Sequence, residues 1–207
     1  MTTLQALIAF TAAAALLTVT PGLDTAMVLR AATAHGRRSG ALAALGICLG
    51  CLAWGAMVSA GLGALLIASP IAYLALKWAG AAYLLWLGIG LIVRPRRDFA
   101  ADGVPPAAAE RTNFFAQGLL TNLLNPKVGV FYVTFLPQFI PGGVEVAGFS
   151  LLLAAIHSFL GLMWFALLIA ATLPLARVLR RPAVIAALDR VTGGIFVAFG
   201  AKLALGR

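Results

Sequence analysis

Long apolar runs alternate with short polar connections along the whole chain. Six runs reach the roughly 20 mostly apolar residues that a helix needs to cross a lipid bilayer. They are Leu4–Leu29, Gly40–Ala68, Ile71–Val93, Asn113–Phe139, Ala147–Leu175 and Ala183–Leu205. Several of them exceed this minimum, so tilted or interrupted helices are expected. The pattern predicts an all-α integral membrane protein with six transmembrane helices.

Basic residues concentrate in alternate connections between these runs. The first, third and fifth connections contain Arg30, Arg37, Arg38, Arg94, Arg96, Arg97, Arg111, Arg177, Arg180 and Arg181. The second connection has only Lys77, and the fourth has no basic residue. Because cytoplasmic loops carry an excess of Lys and Arg, we expect the odd-numbered connections in the cytoplasm and both termini outside. No basic residue precedes the first apolar run, which argues against a cleaved signal peptide.

The third connection, residues 94–112, is the only long polar one and lies near the middle of the chain. Residues 1–93 and 113–207 then form two blocks of three predicted spans each. Because three is odd, the second block enters the membrane from the opposite face. Two homologous blocks in this arrangement form an inverted repeat, a plan found in many transporters. The chain is therefore predicted to be one membrane domain, with two three-helix repeats joined by a cytoplasmic linker.

The two blocks resemble each other weakly in sequence. The first span of each contains a proline followed by a charge, in "TPGLD" (Thr20–Asp24) and "NPK" (Asn125–Lys127). The last spans, Leu76–Gly88 and Leu188–Gly200, match loosely and both close on glycine. Proline removes a backbone N–H and leaves carbonyl groups without helical partners. We therefore predict that the first helix of each repeat is broken at its proline.

Discontinuous helices at corresponding positions of two halves point to a transport site, because irregular backbone persists at membrane depth only against protein or a wet cavity. Asp24 and Lys127 are also the only charged residues well inside the predicted spans. A charge at the bilayer centre costs about 2.5–3.5 kcal/mol on insertion scales. An acid and a base beside one cavity could neutralise each other or bind the two ends of a zwitterion. The predicted substrate-binding residues are Asp24, Lys127, Asn125, Pro21, Gly22 and Pro126.

Each charge also has a simpler interpretation. Asp24 lies six positions before Arg30 and could be a solvated or helix-capping residue near the cytoplasmic interface. Lys127 could extend its side chain to the membrane surface. The prolines could merely bend their helices. The two charges together favour a transport site more strongly than either does alone.

Composition excludes a soluble globular domain. The 207 residues are 62% hydrophobic and 10% charged, whereas soluble domains carry about 25% charged residues. The net charge of +9 is explained by the clustered loop arginines, so nucleic acid is not predicted as a partner. Cys48 and Cys51 share one span, while His35 and His157 lie in other segments. Zinc requires about four ligands, so no metal site or cofactor is predicted.

Four stretches resemble the LysE/RhtB family of bacterial amino-acid exporters, and the resemblance extends over essentially the whole chain. They are "TPGLDTAMVL" (Thr20–Leu29), "GRRSGALAALGICLG" (Gly36–Gly50), "GAAYLLWLG" (Gly80–Gly88) and "NPKVGVFYVTFLPQF" (Asn125–Phe139). The last is long, ordered and hard to obtain from composition alone. The resemblance implies a six-span exporter of the bacterial inner membrane, not an enzyme, that exchanges amino acids or close derivatives for protons. In a mechanism based on the two charges, Asp24 is a candidate proton carrier.

Two positions depart from what the resemblance implies. The family usually has proline where Leu23 stands, so the shape of the first break is less defined here. His157 lies inside the fifth predicted span, where the family has no fixed histidine. Imidazole titrates near neutrality, so His157 could carry a proton or contact substrate. The alternative is a hydrogen bond to a neighbouring helix.

Two other functions compete with amino-acid export. The same scaffold could export another small solute or ion, although a metal would require more His, Asp or Cys inside the spans. A membrane thiol–disulfide carrier would use Cys48 and Cys51, but such carriers place their cysteines beside the prolines, in separate halves. Asp24 is the only acid inside the spans, with Asp189 expected at the interface, so neutral amino acids are favoured. The particular amino acid and the oligomeric state, a homo-oligomer included, stay open.

Small residues predict one close helix contact. Gly46 and Gly50 stand four positions apart, on one face of the second predicted span. Residues of this size at this spacing let another helix approach closely. We therefore expect a tight crossing at this face.

Overall fold

The computed structural model describes residues 2–20, 22–68, 70–95, 113–171 and 181–205. They form α1 (Thr3–Val19), α2 (Leu23–His35), α3 (Arg37–Ala68), α4 (Pro70–Val93), α5 (Phe114–Leu123), α6 (Pro126–Val130), α7 (Val146–Ala170) and α8 (Pro182–Leu205). After α6 the chain continues through a π-helical turn, Phe131–Phe135, and a 3-10 turn, Leu136–Phe139. The described residues contain no strand, so the predicted all-α class is confirmed for them.

Two helical segments are each long and apolar enough to cross a membrane, Arg37–Gly61 of α3 and Val146–Ala170 of α7. Two pairs of helices, each bent at a short break, are also long and apolar enough if each pair is counted as one span. The axes of α1 and α2 differ by 51°, and those of α5 and the segment Pro126–Phe139 differ by 52°. The described residues thus provide up to four such spans, and the six-span count stays a prediction. Most of the arginine-rich linker lies outside the described residues.

Gly36 reverses the chain between α2 and α3. Its φ of 88° lies in the left-handed region, which glycine enters without steric cost. The Ser39 hydroxyl donates a 3.0 Å hydrogen bond back to the carbonyl of His35 across this turn. A turn this short packs α2 directly against α3, which fixes the position of the first bent segment relative to the longest helix.

Helix α3 packs most extensively against α5 and α7. Its crossing with α5 requires glycine, because a Cβ at Gly46 would lie 2.0 Å from the carbonyl oxygen of Phe115. A Cβ at Gly118, across the contact, would lie 2.1 Å from a carbonyl oxygen of α3. Gly50 faces Asn122 of α5, and a Cβ at Gly50 would lie 2.5 Å from the amide oxygen of that side chain. The tight crossing expected at Gly46 and Gly50 is confirmed.

Helices α4 and α8 form the other extensive contact. A Cβ at Gly88 would lie 2.7 Å from the carbonyl oxygen of Gly193, and a Cβ at Gly200 would lie 3.1 Å from that of Ala81. In the weak internal match between the last spans, Gly88 corresponds to Gly200 and Ala81 to Gly193. Replacing each residue by its counterpart in the other half therefore converts the Gly88–Gly193 contact into the Gly200–Ala81 contact. Such reciprocity is expected of related halves, and the repeat itself stays a prediction.

Aromatic side chains fill the space between the two bent segments. The Phe10 ring of α1 lies 5.7 Å from the ring of Phe131 and 5.5 Å from that of Phe139. Large apolar side chains also cover much of the outer surface, with Phe159 61% and Met163 59% exposed on α7. Such exposure suits lipid as the surrounding solvent. The core therefore forms around the bent segments, where the site residues lie.

Candidate functional site

The second bent segment is interrupted between α5 and α6. Helix α5 ends at Leu123, and Pro126 is the first residue of α6, where its missing N–H needs no partner. The side-chain oxygen of Asn125 accepts a 3.1 Å hydrogen bond from the backbone N–H of Lys127 and so caps α6. The Pro126 ring itself is exposed. The local sequence thus ends one helix and starts another within three residues.

The first bent segment leaves open acceptors where α1 ends. Thr20 follows the helix, and its hydroxyl donates a 2.6 Å hydrogen bond to the carbonyl of Leu16 and pairs with the hydroxyl of Thr192 on α8. Pro21, a predicted site residue, lies outside the described residues. Proline nitrogen carries no hydrogen, so the carbonyl of Leu17, four positions earlier, receives no helical hydrogen bond from residue 21. The carbonyl end of a helix also favours a cation.

Lys127 supplies that cation from the other bent segment. Its Nζ donates hydrogen bonds of 3.2 Å to the carbonyl of Leu17 and 3.1 Å to the carbonyl of Thr20. A Cβ at Gly22 would lie 3.7 Å from the same Nζ, so Gly22 lines the approach to the ammonium. Lys127 is directed at the end of α1, and these contacts favour a site residue over a lysine extended to the membrane surface.

Asp24 lies in the first turn of α2 and is bonded to the other half of the chain. Its two carboxylate oxygens accept hydrogen bonds from Asn122 Nδ2 at 2.8 Å and from Asn125 Nδ2 at 3.2 Å. Both asparagines are buried. The carboxylate therefore has two protein donors, which favours a site residue over a merely solvated one. Asn125 serves both charges, since its oxygen caps α6 beside Lys127 while its nitrogen binds Asp24.

Asn122 is a site residue that the sequence does not predict. Its side chain has no solvent exposure, and besides Asp24 its Nδ2 contacts Cys51 Sγ at 3.5 Å. Its Oδ1 is buried without a hydrogen-bond partner among the described residues. Gly50 leaves the space that this amide occupies. The only signal in the sequence is a second asparagine three positions before Asn125.

A cavity of about 40 Å³ lies beside Asp24 and Lys127 and has room for a few water molecules. Its described lining comprises Leu17, Thr18, Thr20, Gly22, Asp24, Thr25, Ile47, Cys48, Cys51, Asn125, Lys127, Val128, His157, Gly161 and Phe165. The structure thus brings the predicted residues Asp24, Lys127, Asn125 and Gly22 together, while Pro126 does not line the cavity. Asp189, which the sequence places at the membrane interface, is fully buried in α8 and is not part of this described lining.

His157 reaches the same cavity from α7. Its Nδ1 lies 3.0 Å from the Tyr132 hydroxyl, and its ring packs 5.2 Å from the ring of Phe131. Both partners belong to the π-helical turn, a feature often found at functional sites. The expected hydrogen bond to a neighbouring helix is therefore present, and His157 also borders the space beside Asp24 and Lys127.

The two cysteines are unpaired and buried in α3. Cys51 contacts the Asn122 amide, and the carbonyl of Cys48 accepts a 3.1 Å hydrogen bond from the Ser158 hydroxyl. Among the described residues, no group of three or more His, Cys, Asp or Glu side chains is placed to hold a metal ion. Cys48 and Cys51 thus contribute to helix packing around the cavity.

A cavity that carries two charged side chains between two bent helical segments, inside an apolar helical protein, is the arrangement of a membrane translocator. The chain belongs to the LysE type translocator family, whose model matches residues 15–207. The family expected from the sequence is therefore confirmed, and it is a family of membrane translocators rather than enzymes.

Three relatives illustrate the similarity. The membrane protein YrhP of Bacillus subtilis (strain 168) is 29% identical over 210 residues, which cover 98% of this chain and 100% of the relative. The leucine efflux protein of Enterobacter sp. (strain 638) is 32% identical over 189 residues, or 89% and 88% of the two chains. The homoserine/homoserine lactone efflux protein of Salmonella typhi is 33% identical over 196 residues, or 93% and 92%. No solved structure matches the chain.

Proposed function

We propose that this protein exports small neutral amino acids across the bacterial inner membrane as a secondary transporter that takes up protons in exchange. The observation that carries this proposal is the placement of Lys127 and Asp24 at one cavity, where both bent segments are interrupted. The relatives named for leucine and for homoserine efflux support this substrate class. Leucine and homoserine are therefore the first substrates to examine.

The cavity offers a group for each end of a zwitterion. The substrate carboxylate would meet Lys127 or backbone N–H groups at the start of α6. The substrate ammonium would meet Asp24 or the open carbonyls at the end of α1. Apolar side chains, including Ile47, Val128 and Phe165, line the rest and suit an apolar substrate side chain. Asp24 is the only described carboxylate that lines the cavity, which favours neutral over cationic substrates.

Protons would be coupled to transport at the same place. Asp24 is the leading proton carrier, and His157 is a second candidate because it borders the cavity. Proton uptake from outside would reset the site after release of substrate, and rocking of the two halves would alternate access. The reciprocal contacts of α4 and α8 support two related halves. We infer from the arginine pattern that both termini lie outside the cell.

Transport assays in a host that is sensitive to amino acids test this proposal. Asp24→Asn and Lys127→Ala are each expected to abolish export of leucine or homoserine while the protein stays at normal abundance in the membrane. The matched controls are Glu145→Gln and Arg181→Ala, which change an acid and a base at exposed positions, and both should export normally. Normal export by both site variants would reject the mechanism. A screen with other solutes would reveal a different cargo.

A further inference from the structure

The Lys127 ammonium lies where the amino group of a substrate would be recognised. Its two described acceptors are the main-chain carbonyls of Leu17 and Thr20, at 3.2 and 3.1 Å. A lysine side chain and an amino acid both present an –NH₃⁺ group with three donors and no acceptor. Open carbonyls at the end of a helix attract either one. The two carbonyls thus define an ammonium seat, which Lys127 fills in this structure.

The space around the seat is too small for a substrate while the lysine is there. The cavity measures about 40 Å³, enough for a few water molecules and not for an amino acid. The half-buried Lys127 side chain crosses this space from α6 to α1. Withdrawal of that side chain would enlarge the cavity and uncover both carbonyls in one movement. Gly22 adds no side chain that would obstruct the exchange.

We propose that the Lys127 ammonium occupies the ammonium seat when no substrate is bound, and that the substrate's own ammonium group replaces it there. An arriving amino acid binds the carbonyls of Leu17 and Thr20 with its ammonium group, and the displaced Lys127 ammonium binds the carboxylate of the same molecule. This inference rests on the proposed function and specifies how the substrate is recognised. Asp24 stays bonded to Asn122 and Asn125 during the exchange and remains available for a proton.

Charge balance explains why this exchange selects zwitterions. An amino acid brings one ammonium and one carboxylate, so the net charge at the cavity is the same before and after the exchange. A simple amine brings only the ammonium, so the site would then hold two cations, while its one described carboxylate, Asp24, is already bonded to Asn122 and Asn125. Because an unpaired buried charge is strongly unfavourable, the protein should reject amines that lack the carboxylate.

Binding to the purified protein in lipid nanodiscs tests the inference, with isothermal titration calorimetry as the readout. The ligands are leucine and 3-methylbutylamine, which is leucine without its carboxylate. Wild type and Lys127→Arg, which keeps a cation on the seat, should bind leucine and not the amine. Lys127→Met empties the seat and should bind the amine at least about tenfold more tightly than wild type does, because one charged competitor for hydrogen bonds is gone. The same variant should bind leucine more weakly.

Several results would overturn the inference. One is that wild type binds the amine as tightly as Lys127→Met does, or more tightly. Another is that Lys127→Met does not bind the amine although its thermal unfolding matches that of wild type. Adding Asp24→Asn to Lys127→Met should leave the amine affinity within about tenfold, since one ordinary charge interaction is lost. Complete loss would assign the ammonium to Asp24 instead. Failure of wild type to export leucine or homoserine would reject the proposed substrate class, and the amine comparison is independent of that result.

Discussion

The carboxylate of Asp24 on α2 accepts a 2.8 Å hydrogen bond from the amide of Asn122 on α5, 98 residues further along the chain. This bond joins the two bent segments beside the cavity. Asn122→Leu removes a donor to a charged group, a contribution of about 1.5–3 kcal/mol to stability. We expect lower thermal stability in detergent and at least about tenfold slower export, since the position of the Asp24 carboxylate would no longer be fixed.

Gln117→Leu is the matched control, because it makes the same amide-to-leucine change on α5 away from the described lining of the cavity. It should leave export near wild type. Combining Asn122→Leu with Asp24→Asn in a double-mutant cycle measures the coupling of the pair. Additive effects of the two changes on stability would mean that the bond contributes nothing.

The crossing of α3 and α5 predicts a sharp difference between two glycines of one helix. A Cβ at Gly46 would lie 2.0 Å from a backbone oxygen, whereas a Cβ at Gly61 would have no neighbour within 4 Å. Gly46→Ala should therefore cost about 3 kcal/mol or more, at the upper end of overpacking effects, and reduce membrane abundance. Gly61→Ala should change neither. Fluorescence size-exclusion chromatography of tagged proteins measures stability and membrane abundance. Equal elution profiles for Gly46→Ala and Gly61→Ala would contradict the close crossing of α3 and α5.

The cysteines are expected to be dispensable for transport. Cys48→Ala and Cys51→Ala remove small buried side chains, and we expect a loss of stability of about 1 kcal/mol each. Export by the double variant should stay within about twofold of wild type at equal membrane abundance. Loss of export in a stably inserted cysteine-free protein would revive the thiol–disulfide carrier.

Asp24 and His157 can be separated as proton carriers. The His157 ring is bonded to the Tyr132 hydroxyl and packed against Phe131, whereas Asp24 is bonded to both asparagines of the opposite segment. We expect His157→Asn to keep pH-dependent export, because asparagine still accepts a hydrogen bond from the tyrosine. Asp24→Asn should abolish proton uptake by proteoliposomes supplied with substrate. The reverse pattern would make His157 the carrier.

The sequence predicts the interruption around Asn125 and the charges beside it, because their causes are local. Proline lacks an N–H wherever it stands, and a charge inside an apolar run is costly in any fold. For the same reason the sequence alone predicts Asp24 and Lys127 at one cavity. The bonding pattern could not be predicted in the same way, because it depends on bends of about 50° that no periodicity encodes.

Asn122 and Pro126 show where local reasoning ends. Placing an uncharged amide in an apolar run costs much less free energy than placing a charge there, so the sequence does not single out Asn122. Its role becomes visible only when α5 lies against α2. The sequence predicts Pro126 as a binding residue, yet its ring is exposed because it is the first residue of α6. Its contribution is to start the helix that presents Lys127. The charged site residues can be found from their chemical type, but their hydrogen-bond partners can be found only from tertiary packing.

The glycines of α4 and α8 carry a mechanical consequence. At Gly88 and Gly193 the two backbones touch, and the side chains of Val197 and Ile92 border the same contact. Such a close contact holds the two helices together at this point. The pair would therefore act as a pivot that stays closed while the halves tilt about it. A methyl group inserted at either glycine would force the two helices apart and remove the point about which the halves are joined.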